Sequence, residues 1–336
     1  MNLHGTKPQS GTLLLTRQEV GKLLNLEECM DAVEQGFLQY AQGKALLPGV
    51  VDIDAGDGAF HIKSAFVTAN RSYAAVKVNG NFPQNRIKHQ LPTIQGVILL
   101  HDGDTGFPLA IMDSIEITIK RTGAATVLAA KYLARPDSSV VTICGCGNQG
   151  RISLEGLKRL LPIENAFVYD IDEAAARRFA EEMTTILGIP VTRSASLPDA
   201  TKRSDIIVTC TPSRKPFLGK DDVKAGTFIA AVGADAHDKQ ELHSDLLRSS
   251  KIVADIVEQC LTIGELHHAV NDGVVTRADV HAEIGEIIAG SKKGRTSNDE
   301  IIVFDSTGTA LQDVAAAVVV FEKVTGTGIG TYVTLA

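Results

Sequence analysis

The feature that most limits what this chain can fold into is a glycine cluster between an apolar run and a helix-like run. Val140-Val141-Thr142-Ile143-Cys144 reads as a buried strand. Gly145-Cys146-Gly147-Asn148-Gln149-Gly150 follows it directly, and an amphipathic stretch starts at Arg151. This is G-x-G-x-x-G in the setting that gives it meaning, strand before and helix after. Gly145 permits the tight turn, Gly147 lets the backbone approach a pyrophosphate, and Gly150 lets helix and strand pack closely. Asn148 and Gln149 lie where a helix N-terminus offers free N–H groups and partial positive charge to phosphates. A second strand candidate, 166–169, ends at Asp170, about twenty residues past the last glycine, where an acid accepts hydrogen bonds from ribose hydroxyls. Asp170 and Asp172 together repel a 2′-phosphate. The expected cofactor is therefore NAD(H) rather than NADP, a preference that Arg177 and Arg178 further along soften.

The rest of the chain falls into place around that motif. From 138 onward, the strand candidates VVTIC, AFVYD, IIVTC, FIAAVG, KIVAD and IIVFD are separated mostly by helical segments, which implies a parallel, doubly wound sheet. Upstream, 12–16 reads as a short strand. Over 17–42, Val20, Leu23, Leu24, Leu26, Met30, Val33 and Phe37 recur at helical spacing. Residues 48–112 carry short β-rich runs separated by turn clusters such as DAGDG, TANRS and DGDTG, as in an antiparallel or mixed sheet. A long helical stretch, 116–134, stops at Arg135-Pro136, and 309–324 returns to helix. The expected fold class is α/β. A Rossmann doubly wound parallel sheet spans 131–306, and a second α+β substrate domain joins 1–130 to 307–336. The cleft between them is the expected site.

Composition narrows the function classes. The 336 residues suffice for two domains, and the first ten are polar and read as a loose tail. Aromatics make up 5% and Trp is absent, which argues against a base-stacking platform. A net charge of −7 without a basic block offers nothing to nucleic acid or an anionic membrane. No apolar run is long enough to span a bilayer, and no secretory leader is expected. The five cysteines are scattered, as in a cytoplasmic protein with reduced thiols, and the Cys144/Cys146 pair reads as packing. No His/Cys/Asp cluster has zinc spacing, so no metal is expected.

Further runs resemble the ornithine cyclodeaminase/mu-crystallin family, from about Leu13 to the end: Lys77-Val78-Asn79, Leu91-Pro92-Thr93, 105–110 (TGFPLA), Arg121-Thr122-Gly123-Ala124, the glycine motif, Thr211-Pro212-Ser213, 233–236 (GADA), 239–242 (KQEL) and 304–308 (FDSTG). The resemblance implies a homodimer built through the non-Rossmann domain and a small amino- or imino-acid substrate. It implies that Lys77 and Arg121 hold the substrate carboxylate and that Asp235 handles protons on the nitrogen or a water. It places Thr122, Cys210, Thr211, Val232, Gly233 and Ser306 along the cofactor. A cation and a planar guanidinium suit a carboxylate, and an acid suits a reacting amine. Asp235 also reads as a cap for a helix over 237–247, and His267-His268 as helix surface.

Two departures bear on substrate. Gly49 stands where many members carry Arg. His61 and Lys63 stand near the acid that ornithine-specific members use for the side-chain amine, and strand alternation points both to one face. A cationic face there suits an anionic side chain, so iminosuccinate, giving aspartate, is one expected substrate. The leading expectation is an NAD-dependent imine reductase or amino-acid dehydrogenase. A redox-neutral ornithine-type cyclodeaminase and a cofactor-binding protein without activity are the alternatives.

Overall fold

The computed structural model describes residues 11–68, 71–324 and 327–335; the N-terminal tail read above lies outside them. Two eight-stranded sheets organise the chain. The first runs, in spatial order, Thr331–Val333, Thr12–Leu15, Pro108–Asp113, Ile94–Asp102, Tyr73–Asn81, Ala59–Val67 and Ala45–Leu46, with Val50–Asp54 also paired to Ala59–Val67. It is mixed: Thr12–Leu15 lies parallel to Pro108–Asp113, and the other pairings are antiparallel. One face carries buried Ala65, Ala75, Ile98 and Leu100, and helices Leu26–Ala41, Ser114–Leu133 and Ala310–Val324 pack on it. The other face is left apolar, with Val51, Ile53, Phe60 and Val97 all at least 38% exposed.

The second sheet is parallel throughout, in the order Val191–Arg193, Asn165–Tyr169, Val140–Cys144, Ile206–Thr209, Phe228–Ala231, Ile302–Asp305, Lys251–Ala254 and Val280–Glu283. Its interior strands are almost wholly buried, as strands covered on both faces must be. The chain leaves Val140–Cys144 toward one side and returns to Ile206–Thr209 on the other, so a crevice opens at the carboxyl end of these strands. Six of the eight strands match the runs picked out by sequence. Val191–Arg193 and Val280–Glu283 are short edge strands of three and four residues with little apolar signal.

Local chemistry sets the helix starts. Thr16 with Glu19, and Asn25 with Glu28, form reciprocal capping boxes for Arg17–Leu23 and Leu26–Ala41. Asp113 caps Ser114–Leu133 through the N–H groups of Ile115 and Glu116. No helix over 237–247 forms: a turn leads to a short strand, Gln240–Leu242, and then to helix Ser244–Arg248. Glu265 prevents continuity there, because it draws the N–H groups of Glu241 and Leu242 into its carboxylate, leaving neither for helical bonding.

One apolar core cluster runs through both layers, from Leu13 and Phe37 to Phe228 and Phe304. Gly123 makes the seam possible. A Cβ there would lie 2.6 Å from Ile152, so helix Ser114–Leu133 meets helix Asn148–Leu160 at close range. That contact brings Arg121 and Thr122 beside the glycine motif.

Candidate active site

The glycines of the motif do the work their spacing implies. Gly145 has φ +106°, and a Cβ would meet the Cys210 carbonyl oxygen at 2.8 Å. A Cβ on Gly150 would lie 2.4 Å from the Gly145 carbonyl, so helix and strand touch only because it is absent. A Cβ on Gly147 would meet nothing within 4 Å, which leaves the approach to the helix open. No side chain caps Asn148–Leu160, so its first N–H groups face that space. Asp170 reaches back, its Oδ2 accepting the Cys146 N–H at 2.8 Å and its Oδ1 the Asp172 N–H at 2.9 Å. Arg178 lies 4.0 Å from Asp172, and Arg177 and Arg193 pair with Glu173. The arginines beside the ribose position are thus already matched by acids. These features fit a dinucleotide with an unphosphorylated ribose.

Beside this track three cations converge. Lys63 and Lys77 are cross-strand partners on the covered face of the first sheet, and Arg121 projects from helix Ser114–Leu133. All three are buried. Lys77 Nζ lies 2.6 Å from Asp313 Oδ2, and Arg121 Nε lies 3.0 Å from Asp313 Oδ1. Arg121 Nη1 donates to Gln312 Oε1 at 2.7 Å. Burial pushes the Lys77 ammonium down to about 7, with Arg121 and Lys63 adding to the effect and Asp313 opposing it. Burial also lowers Lys63. For Asp313, burial raises the carboxyl, but Lys77 and Arg121 outweigh it and hold it below its ordinary range.

Asp235 stands past the end of strand Phe228–Ala231, with about half its side chain reachable by solvent. Burial works against its charge, but Lys239, 2.5 Å away, and Lys63 prevail and keep it below the usual carboxylate range. His268, half-buried on helix Glu265–Asn271, has its Nε2 2.8 Å from the Lys239 carbonyl, which braces the Asp235 loop.

Four fully buried acids tie the crest of the parallel sheet together. Glu241 accepts the N–H and hydroxyl of Thr211 on one oxygen and the Gly233 N–H on the other. Glu265 takes the N–H groups of Glu241 and Leu242, and Asp305 those of Glu265 and Leu266. Asp255 takes Ile256 and Gly308 N–H and the hydroxyls of Ser306 and Thr307. Each acid thus spends its lone pairs on backbone that would otherwise be an orphan in the interior. Together they fix Thr211, Gly233 and Ser306 relative to one another.

The structure therefore gathers Lys63, Lys77, Arg121 and Asp235 at one end of the glycine track, with Thr122 one residue past Arg121. Val232 and Ser306 are buried at the sheet crest, and Cys210 donates its thiol to the Cys144 and Gly145 carbonyls. Lys63 Nζ donates to the carbonyls of Thr307 and Gly308 at 3.1 and 2.7 Å, and His61 Nδ1 lies 2.6 Å from Asp52. Lys63 is held by neutral carbonyls, which leave its charge in place, and His61 is paired with an acid. Gly49 has φ +114°, a conformation that disfavours any residue with a side chain. His89 is exposed at the end of helix Asn85–Lys88. Gln312 and Asp313 were not singled out from sequence. Their signal is a polar pair inside the otherwise apolar run ALQDVAAAVVVF.

Comparison with known proteins agrees with this geometry. The model of the ornithine cyclodeaminase/mu-crystallin family matches residues 10–328, and the chain belongs to that family. An archaeal alanine dehydrogenase, solved as a dimer with bound NAD, superposes with a TM-score of 0.92 at 43% identity, covering 97% of this chain and 99% of that one. The Δ1-pyrroline-2-carboxylate reductase of Thermococcus litoralis, in complex with NADH and L-proline, gives 0.91 at 39% identity, covering 96% and 100%. The iminosuccinate reductase of Paracoccus denitrificans, in complex with NAD+, gives 0.90 at 30% identity, covering 96% and 99%.

Proposed function

We propose that this chain is an NAD(H)-dependent oxidoreductase acting on the C–N bond at the α-carbon of a small amino or imino acid. The observation that carries this reading is the convergence of Lys63, Lys77 and Arg121 with Asp235 at the mouth of an open dinucleotide track. The cations outnumber the carboxylate they touch, so the site favours an anion, and every α-amino or α-imino acid supplies one. When bound, NAD(H) exchanges hydride with the α-carbon. Lys77 and Arg121 hold the carboxylate and so orient that carbon. Asp235, kept ionised by Lys239 and Lys63, stabilises a protonated imine or takes a proton from the amine. The buried walls keep water from the imine while it exists.

Lys77 and Arg121 suffice for a single carboxylate, as in the imine of pyruvate or a cyclic imino acid, and Lys63, partnered by neutral carbonyls, leaves a further cation for a dicarboxylate such as iminosuccinate. A cation stands where ornithine-specific members place an acid, so a redox-neutral cyclodeaminase is the second reading. The uncovered apolar face with Val51, Ile53, Phe60 and Val97 supports a homodimer closed through the first sheet. Two units, 1–130 with 307–336 and 131–306, and a cytoplasmic setting with free thiols complete the reading. Among the described residues, no helix is long and apolar enough to cross a membrane. NADH oxidation by the purified protein with pyruvate, oxaloacetate or a cyclic imine, with ammonia supplied to the first two, tests the activity. Absence of turnover with all of them would reject it.

A further inference from the structure

We propose that Asp313, assisted by Gln312, is the positioning element of this site: from the last helix it holds the Lys77 ammonium and the Arg121 guanidinium where the substrate carboxylate binds, an assignment that rests on the activity proposed above. Three segments far apart in sequence meet at this one carboxylate. Lys77 comes from strand Tyr73–Asn81, Arg121 from helix Ser114–Leu133, and Asp313 from helix Ala310–Val324. All three side chains are at most 7% exposed. Asp313 accounts for one oxygen on each cation, and Gln312 takes a second edge of the guanidinium. Gly308 packs against the same edge of the guanidinium, since a Cβ there would lie 2.5 Å from Nη1.

A closed structural ion pair would differ in two ways. Its charges would balance, and its donors and acceptors would be used up. Here Lys77 and Arg121 share one touching carboxylate, Asp313, so positive charge is left over. Lys77 and Arg121 each take one Asp313 oxygen, at 2.6 and 3.0 Å, and Arg121 Nε has no well-aligned hydrogen bond among the described residues. Gln312 Nε2 is likewise a buried donor without a partner among them. The cations are therefore gathered without being exhausted, as a site for a further anion requires. The charged groups facing Lys77 are Asp313 from the last helix, Arg121 from the long helix and Lys63 from the neighbouring strand. Asp313 is the one acid among them, so removing it leaves Lys77 against cations alone.

The test reads Lys77 directly and does not depend on turnover. The full-length protein is labelled with 13C at lysine Cε, and the Lys77 resonance is identified by its loss in Lys77→Arg. Asp313→Asn should move the Lys77 titration about 1–3 pH units lower, the effect of losing an adjacent opposite charge. It should also raise KM for the amino or imino acid about tenfold or more at pH 7 while leaving NADH affinity near the wild-type value. Asp313→Glu, which keeps the charge, should return the titration toward wild type. An unshifted Lys77 in folded Asp313→Asn overturns the proposal, and so does a loss of NADH affinity as large as the rise in KM. If Asp313→Asn does not fold, Gln312→Ala removes one Arg121 contact without changing charge. A raised KM with kcat and NADH affinity retained supports the assignment, and no change overturns it. A shifted Lys77 in a protein whose wild type turns over none of the substrates supports the positioning role and rejects the activity.

Discussion

Lys63 and Lys77 stand directly opposite each other on adjacent antiparallel strands, both pointing into the buried face of the first sheet. Like charges so placed disfavour each other's protonation. Burial, with Arg121 and Lys63 adding to it, brings Lys77 down to about 7. Below that pH the ammonium is present in the free enzyme and can bind a carboxylate; above it the cation is lost. The kcat/KM for the amino or imino acid should therefore fall about tenfold per pH unit above this value. Lys77→Arg, which cannot deprotonate in this range, should remove that limb even if it lowers the plateau.

Gly147 and Gly150 should behave differently when a methyl group is added. At Gly147 the methyl meets open space within 4 Å, and φ is an ordinary −88°. Gly147→Ala should keep its melting temperature within a degree or two, roughly the scale of a neutral surface change, yet lose most NADH affinity, because the methyl occupies the pyrophosphate approach. At Gly150 the methyl would press on the Gly145 carbonyl and Ile143. Gly150→Ala should lower stability by about 1–3 kcal/mol. Thermal melts and NADH fluorescence titrations separate the two outcomes.

Much of this was readable from residue order alone. The G-x-G-x-x-G motif with Asp170 marked the cofactor track because glycine tolerance and the strand–helix setting are local properties. Lys77, Arg121 and Asp235 were reachable through the family runs around them. Asp313 was not, because its role arises only when helix Ala310–Val324 folds back onto strand Tyr73–Asn81. The engagement of Lys63 with Thr307 and Gly308 was hidden for the same reason: its partners are backbone carbonyls more than two hundred residues away. Strand alternation put His61 and Lys63 on one face, but alternation says nothing about which groups hold them there.

Glu241 offers three acceptor contacts to Thr211 and Gly233. Glu241→Gln keeps the shape but turns an amide NH2 toward a donor. The variant should lose about 1–3 kcal/mol of stability and bind NADH more weakly, because the loops after Ile206–Thr209 and Phe228–Ala231 would no longer share a brace. Unchanged melting temperature and unchanged NADH affinity would show that the acid does not organise the crest.

Asp170 should govern the choice of cofactor. Asp170→Ala removes the charge that repels a 2′-phosphate and should narrow the gap between NADH and NADPH affinity by about tenfold or more. An unchanged ratio would mean that Glu173 and the arginines around it set the preference instead.

The most direct measurement of the central claim is NADH oxidation by the purified protein with pyruvate and ammonia, oxaloacetate and ammonia, and a cyclic imino acid, beside ornithine with NAD. The expected result is stoichiometric NADH loss and formation of the matching amino acid from at least one of the keto or imino acids. Release of ammonia and proline from ornithine with no net change in NADH, and no turnover of the keto or imino acids, would contradict it.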